Sequence, residues 1–402
     1  MSSLTSLASA LGVIGSIPWI GLLIHWIRYR RKAVSLAELP GDPPPAGWPT
    51  LAVAFAARDE AAMVAAASRS MLGLDYPSLE VIAVDDRSVD GTGAILDAIA
   101  REDARLRVIH VRALSPGWLG KTNALQAASD STRADWILFT DADVVFEPTA
   151  LRRAVAFAEA EGLDHITVGP EIPTESIGER LFLAMFGLLF AMHAPIGRLD
   201  DRRSKAHAGI GAFNLVKSET FRAIGGFRHL ALSVDDDMRL AQALKFAGYR
   251  MRFLLGRGSV SVRWQVGLGG MIRGLEKNFF AGLDYRPGKS LLVAAAILVA
   301  GVMPYVGLFV GPVWARVACG IGVGAVAATI GAASWQRRIG WYYAALIPLA
   351  AVALLVALVR SVALTLRQGG VRWRGHLYPL KELKAHVWAR DAWAREVWRS
   401  TR

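Results

Sequence analysis

Trp136-Ile137-Leu138-Phe139-Thr140-Asp141-Ala142-Asp143 is an uninterrupted apolar run that ends in two acids one residue apart. A strand covered on both faces reads as such a run, and open α/β sheets collect ligands outside the carboxyl ends of their strands. The two acids therefore stand where a divalent cation could be held against a diphosphate. By itself an Asp-x-Asp triplet fits a surface turn or a helix N-cap equally well, so its neighbours must decide.

Outward from this run, short β-like segments alternate with amphipathic stretches. Strands are predicted at 51–56, 80–84, 106–111, 136–140 and 165–168, with helices at 60–71, 92–101, 122–129 and 148–161. That alternation predicts an α/β fold with a Rossmann-like, mainly parallel sheet. Acids follow three of the strands: Arg58-Asp59-Glu60, then Asp85-Asp86-Arg87-Ser88-Val89-Asp90-Gly91-Thr92, then the Asp141/Asp143 pair. Three acidic clusters on one sheet edge repel one another unless a cation or hydrogen-bond donors join them. A nucleotide and its metal would supply both.

Two further elements carry chemistry. In Pro116-Gly117-Trp118-Leu119-Gly120-Lys121-Thr122 the glycines allow close backbone approach, and Lys121 at a helix start can meet a phosphate by charge and by the helix dipole. The stretch is not a Walker A loop, because Ser115 stands where that pattern needs its first glycine. Ser233-Val234-Asp235-Asp236-Asp237 opens a helical stretch that Gly248 can end. Capping explains one or two acids there, whereas a third leaves room for a general base. Gly209 to Val216 and Gly225-Gly226 could wall a bound sugar. His165, His193 and His207 show no metal-ligand spacing.

The 402 residues are 53% hydrophobic, with mean hydropathy +0.33, too apolar for a wholly soluble chain. Leu4 to Ile27 carries no Lys, Arg, Asp or Glu and is followed by Arg28-Tyr29-Arg30-Arg31-Lys32, the order of an uncleaved anchor with its positive flank in the cytoplasm. Leu291 to Gly311, Val317 to Trp335 and Trp341 to Val359 are three more uncharged stretches, each near the ~20 residues that cross a bilayer. Three full passes would carry the Arg-rich tail outside, against the positive-inside rule, so the parity stays open and a re-entrant stretch is expected. Leu181 to Met192 is apolar but too short to span, and reads either as a core helix or as an interfacial one. The expected domains are an anchor and basic flank at 1–32, a cytoplasmic catalytic domain at 48–285, membrane segments at 290–365, and a basic, Trp-rich interfacial tail at 366–402.

The +12 net charge flanks membrane segments, which favours anionic lipid over nucleic acid as its partner. Coupled transport is disfavoured because the apolar segments lack paired acids. Cys319 lies in an apolar segment and reads as a small packing residue.

Taken in order, Arg58-Asp59-Glu60, Asp85-Asp86-Arg87-Ser88-Val89-Asp90-Gly91-Thr92, Trp118-Leu119-Gly120-Lys121, Thr140-Asp141-Ala142-Asp143, Gly225-Gly226-Phe227 and Asp236-Asp237-x-x-Leu240-Ala241 resemble the membrane-bound family 2 glycosyltransferases of GT-A fold. Among these, the chain most resembles hopene-associated and carotenoid (diaponeurosporenoate-type) glycosyltransferases and, more distantly, ceramide glucosyltransferase; Val371-Arg372-Trp373-Arg374-Gly375 belongs to that narrower likeness. The resemblance implies that Glu60 and Asp85 or Asp86 face a uridine, Lys121 the diphosphate, and Asp141 and Asp143 the diphosphate and a Mg²⁺ or Mn²⁺. It also implies that Asp237, beside Asp236, is the catalytic base. The Gln-x-x-Arg-Trp signature of processive relatives is missing, and Arg263-Trp264-Gln265 has the wrong order. The expected activity is therefore inverting, nonprocessive transfer from a UDP-sugar, with UDP-glucose a candidate, to a membrane lipid, in a multi-pass protein of a bacterial-type inner membrane. A processive polysaccharide synthase and a noncatalytic nucleotide-sugar-binding subunit are the alternatives.

Overall fold

The structure, a computed structural model, describes residues 3–337 and 340–401, without the side chains of 333–337. Arg402, the last residue of the expected Arg-rich tail, lies outside the described residues. Two compact units interleave along the chain: an α/β unit of Ala33–Pro173, Arg198–Arg263 and Trp373–Arg402, and a helical unit of Met1–Lys32, Thr174–Gly197 and Trp264–Arg372.

The α/β unit is built on eight strands: β1 (Leu51–Ala57), β2 (Leu79–Asp86), β3 (Leu106–Val111), β4 (Trp136–Asp141), β5 (Val144–Phe146), β6 (His165–Glu171), β7 (Asn214–Lys217) and β8 (Met251–Val262). Their order is β3-β2-β1-β4-β7-β6-β8-β5. β1, β2, β3 and β4 run parallel, as do β6 and β8, while β7 is antiparallel to both its neighbours and β5 to β8. Alternate residues feed two cores: Leu51, Val53 and Phe55 enter one, Ala52 and Ala54 the other. Both faces are covered, which is why these strands read as unbroken apolar runs.

Register fixes the functional edge. Ala56 is paired with Val84 on one side and with Asp141 on the other, so β1, β2 and β4 end at one level and release their acidic loops together. β7 enters that edge from the opposite direction, bringing residues 208–213 up to the end of β4, where Thr140 Oγ1 donates to the Ala212 carbonyl at 2.8 Å.

Three strands were missed from sequence, each for a visible reason. β5 is three residues long, β7 four, and β8 carries Gly256, Gly258 and two arginines in place of an apolar run. The helix expected from Glu60 begins only at Val64. Glu60 and Ala61 are held outside it because their N–H groups donate to Thr92 Oγ1 at 2.8 Å and Asp90 Oδ2 at 2.9 Å.

In the helical unit five segments are long and apolar enough to cross a membrane: Ser3–Lys32, Ile177–Arg198, Pro287–Gly307, Val313–Ala332 and Trp341–Gln368. Small residues let the first helix approach its neighbours: a Cβ on Gly12 would lie 2.9 Å from Cys319 Sγ, and one on Gly15 would lie 2.1 Å from the Val299 carbonyl oxygen. Trp19 Nε1 donates to the Ala300 carbonyl at 2.7 Å. Close backbone contact through small residues is how helices associate in lipid, where tails compete equally for apolar surface.

Topology limits how many of these segments cross. The helix Ile177–His193 is 17 residues long, because Ser176 Oγ caps the Glu179 N–H at 3.2 Å and extends it beyond the apolar run seen in sequence. The chain before and after it nevertheless returns to one sheet, β6 pairing with β7, so it cannot carry the chain across. Likewise residues 373–401 belong to the same unit as β1–β8. The segment Pro287–Gly307 is made of two helical pieces, Pro287–Gly301 and Met303–Gly307. It breaks at Val302, ahead of Pro304.

The tail, expected to be interfacial from its tryptophans, packs one face on the α/β unit. Within the helix Leu380–Ser400, Leu383, Val387, Arg390 and Ala394 are buried, three or four residues apart on one face. Trp393 stacks on His229 with centroids 4.4 Å apart, and Trp398 meets Phe246 at 5.0 Å, while Trp388 stays exposed. The five-residue spacing of the tryptophans hid that face. Leu383→Ala should therefore lower stability by about 2–5 kcal/mol, whereas Trp388→Ala should change it by less than about 0.5 kcal/mol. Thermal unfolding of the solubilised protein checks this, and the reverse ranking would mean the tail is not part of the unit's core.

Candidate active site

Lys121 is the hub. It is the second residue of the helix Gly120–Asp130, and its Nζ lies 2.8 Å from Asp141 Oδ1 and 3.4 Å from Asp236 Oδ2. Burial would depress the ammonium, but Asp141, Asp236 and Asp237 outweigh it and hold the pKa above the ordinary lysine value. Asp236 and Asp237 open the helix Asp236–Phe246. Asp237 Oδ2 accepts from the Gly211 N–H and Oδ1 from the Met238 N–H, both at 2.8 Å. Burial, then Asp236, push the Asp237 carboxyl up to about 7 despite Lys121 and the Met238 amide.

A side chain at Gly211 would press on the cluster and displace its acids. A Cβ there would fall 2.6 Å from Asp141 Oδ2 and 3.3 Å from Lys121 Nζ. Gly209 is equally tight against the Asp237 backbone, where a Cβ would lie 2.0 Å from the carbonyl oxygen.

Asp143, just past β4, is raised to about 6 by burial first, then by Asp141 and Glu60. Glu60 is raised by burial, against the pull of Arg374, and Asp141 and Asp90 add to the rise. The mutual repulsion of Glu60, Asp141 and Asp143 marks a place where a cation would be favourable. Among the described residues no three His, Cys, Asp or Glu groups converge at ligand spacing. Carboxylate oxygens such as those of Asp141 and Asp143 are hard-cation ligands, and a Mg²⁺ site commonly takes only one or two of them beside phosphate and water.

Asp85 and Asp86 lie farther along the edge. Asp85 accepts from the Ser88 N–H at 3.2 Å and lies 3.0 Å from His110 Nδ1; His110 Nε2 lies 3.0 Å from Asp97. Hydrogen bonds to Asp85 and Asp97 raise the His110 pKa, since the imidazolium alone can donate to both. Asp86 takes both ends of the Arg87 guanidinium, at 2.7 and 2.8 Å, and packs on the Gly120 backbone. The first two acidic loops are latched: Asp59 N–H donates to Ser88 Oγ at 3.1 Å, and Val89 N–H to Asp59 Oδ1 at 2.9 Å.

Of the residues expected from sequence, Lys121, Asp141 and Asp236 meet directly, Asp237, Glu60 and Asp143 face them electrostatically, and Asp85 and Asp86 hold the neighbouring loop. Sequence reasoning gave no site role to His110, Arg374 or Tyr378. His110 was detectable only through its β2–β3 register opposite Asp85. Arg374 and Tyr378 come from the tail, more than 130 residues after Asp237; Arg374 pairs with Glu60, and Tyr378 Oη accepts from the Gly120 N–H at 3.2 Å.

Residues 53–225 match the family described as glycosyl transferase family 2. These residues form a family 2 glycosyltransferase domain. Over 209 residues the chain is 27% identical to a beta-monoglucosyldiacylglycerol synthase of Synechocystis sp., covering 50% of this chain and 42% of that protein. Another protein of the same name, from Trichormus variabilis, is 31% identical over 158 residues, 39% of this chain and 32% of its own length. The chain thus spans less than half the length of these curated relatives. The mannosyltransferase PcManGT from Pyrobaculum calidifontis, solved with GDP-Man and Mn²⁺, superposes with TM-score 0.51 at 17% identity, over 88% of this chain and 99% of that one. That likeness concerns the fold, and it agrees with the expected GT-A architecture.

In the glycosyltransferase domain, Lys121→Met should leave the acids of its cluster without their shared cation and destabilise the protein by about 3–5 kcal/mol. Adding Asp236→Asn should recover part of that loss. Denaturant unfolding of the single and double variants measures the coupling, and simple additivity would mean Lys121 and Asp236 do not interact.

Proposed function

We propose that the chain is an inverting, nonprocessive glycosyltransferase that moves one sugar from a UDP-sugar to a membrane lipid. The observation that carries this is Lys121 held between Asp141, at the end of β4, and Asp236, beside the buried Asp237: a phosphate-binding cation next to a carboxylate of raised pKa. Glu60 with Asp85 or Asp86 would receive the uridine. Lys121 would exchange carboxylate contacts for the diphosphate. Asp141 and Asp143 would hold a Mg²⁺ or Mn²⁺, which supplies charge compensation for the departing diphosphate.

Asp237 would take the proton of the acceptor hydroxyl as its oxygen bonds to C1 of the sugar and the bond from C1 to the diphosphate breaks. Its raised pKa suits a base working near neutrality, and the Gly211 amide fixes its direction. A single displacement inverts C1, so an α-linked donor would give a β-glycoside. The names of the cyanobacterial relatives, beta-monoglucosyldiacylglycerol synthases, support a β-glucoside and a lipid alcohol as acceptor. Support for a lipid also comes from the apolar helix Ile177–His193, where Phe186 packs on Trp264 with centroids 5.4 Å apart. The basic run Arg28 to Lys32 supports a multi-pass protein of a bacterial-type inner membrane with the catalytic domain in the cytoplasm.

Asp237→Asn should retain UDP-sugar binding and lose at least ~100-fold in turnover. In the native protein the base is protonated below its pKa, so kcat/KM should fall as pH drops through about 7, and the variant should lack this acid limb. A pH-rate profile decides, and an Asp236→Asn enzyme that is dead beside an active Asp237→Asn would reverse the two roles.

Membranes carrying the protein, given UDP-sugars and native lipid, should yield lipids heavier by one sugar, with activity abolished by EDTA and restored by Mg²⁺ or Mn²⁺. Mass spectrometry reads the product. A ladder of sugar masses would favour the polysaccharide synthase, and UDP-sugar binding without any transfer would favour the noncatalytic subunit.

A further inference from the structure

The C-terminal tail, outside the matched family residues 53–225, reaches the same acidic cluster. At the turn Trp373–Tyr378, Arg374 and Gly375 have φ of 47° and 77°, a left-handed pair in which an arginine is unusual. This conformation brings the Arg374 guanidinium to the carboxylate of Glu60. Four residues on, Tyr378 is buried and its hydroxyl takes the Gly120 N–H at the start of the helix that carries Lys121; the same hydroxyl engages Arg87, the partner of Asp86. The turn therefore touches three of the acidic or basic loops at the sheet edge. It is anchored behind by the stacking of Trp393 on His229 and by His386 Nε2, 3.3 Å from Ser233 Oγ.

The charge balance shows what such a turn could do. Glu60, Asp141, Asp143, Asp236 and Asp237 crowd one place, and Lys121 is already shared by two of them. A diphosphate adds two or more negative charges. The Arg374 side chain is about half exposed, unlike the buried partners of a structural ion pair, and its planar fork suits phosphate oxygens. Nothing else in the turn requires an arginine at a positive φ.

We propose that the turn Trp373–Tyr378 closes over the donor and that Arg374 is a second diphosphate-binding residue, exchanging Glu60 for phosphate oxygens when a nucleoside diphosphate binds. Glu60 is then released to face the nucleoside. Tyr378 is a positioning residue that sets the helix start bearing Lys121. This rests on the nucleotide-sugar reading above.

The test uses the full-length protein in nanodiscs, with UDP and uridine as probes. Arg374→Gln should weaken UDP binding by about tenfold or more while leaving uridine binding within about twofold, and Arg374→Lys should fall between, because a lysine keeps the charge and loses the fork. Unchanged UDP affinity, or equal loss for UDP and uridine, would overturn the proposal, the second outcome leaving Arg374 only a support for Glu60. Hydrogen exchange of residues 370–379 in the unmodified protein gives an independent measure. UDP should slow it and uridine should not; no protection by UDP would also overturn the proposal. A native protein that binds neither UDP nor GDP would instead defeat the nucleotide-sugar reading itself.

Discussion

The sheet edge depends on one contact, the ammonium of Lys121 between Asp141 and Asp236. Carboxylates from three chain segments gather there, Glu60, Asp141 with Asp143, and Asp236 with Asp237, and without a cation they would either spread apart or take up protons. Lys121 can serve because its helix begins at Gly120, where the missing side chain lets the backbone press against Asp86. Its reach is completed by Gly211, which leaves room for Asp141 and Lys121 to meet. Backbone clearance and charge pairing are thus a single constraint, and either alone would leave the acids apart.

That constraint also explains the raised pKa values. Asp143 and Asp237 are pushed up chiefly by burial, with neighbouring acids adding to it, and a lysine shared among several acids lowers each only in part. The site carries an excess of negative charge suited to receiving a cation with its diphosphate. The same excess gives Arg374 its significance, because it brings positive charge to Glu60 from a segment far along the chain.

The tail ties membrane topology to the catalytic domain. Its helix is bound through a face of Leu383, Val387, Arg390 and Ala394, and the segment after the last apolar helix belongs to the unit that holds β1–β8. Charge counting over the sequence pointed the same way but could not decide among the three apolar stretches. Packing adds that the tail and β1–β8 belong to one compact unit.

The sequence alone determined the parallel core and most of the acidic set. Unbroken apolar runs such as Trp136–Phe139 specify strands covered on both faces, and loops at strand ends carry the acids whatever the rest of the chain does. Those are local consequences of period and composition. Tertiary structure alone decided what depends on partners distant in sequence: β7 inserted antiparallel beside β4, His110 set opposite Asp85, and Arg374 and Tyr378 delivered to Glu60 and Gly120. Short strands such as Asn214–Lys217 take their conformation from neighbours that pair with both edges, so four residues of sequence hold too little pattern to announce them. The tail's buried face was hidden for a related reason: its anchors are aliphatic residues at helical spacing, whereas the conspicuous tryptophans divide between packed and exposed positions.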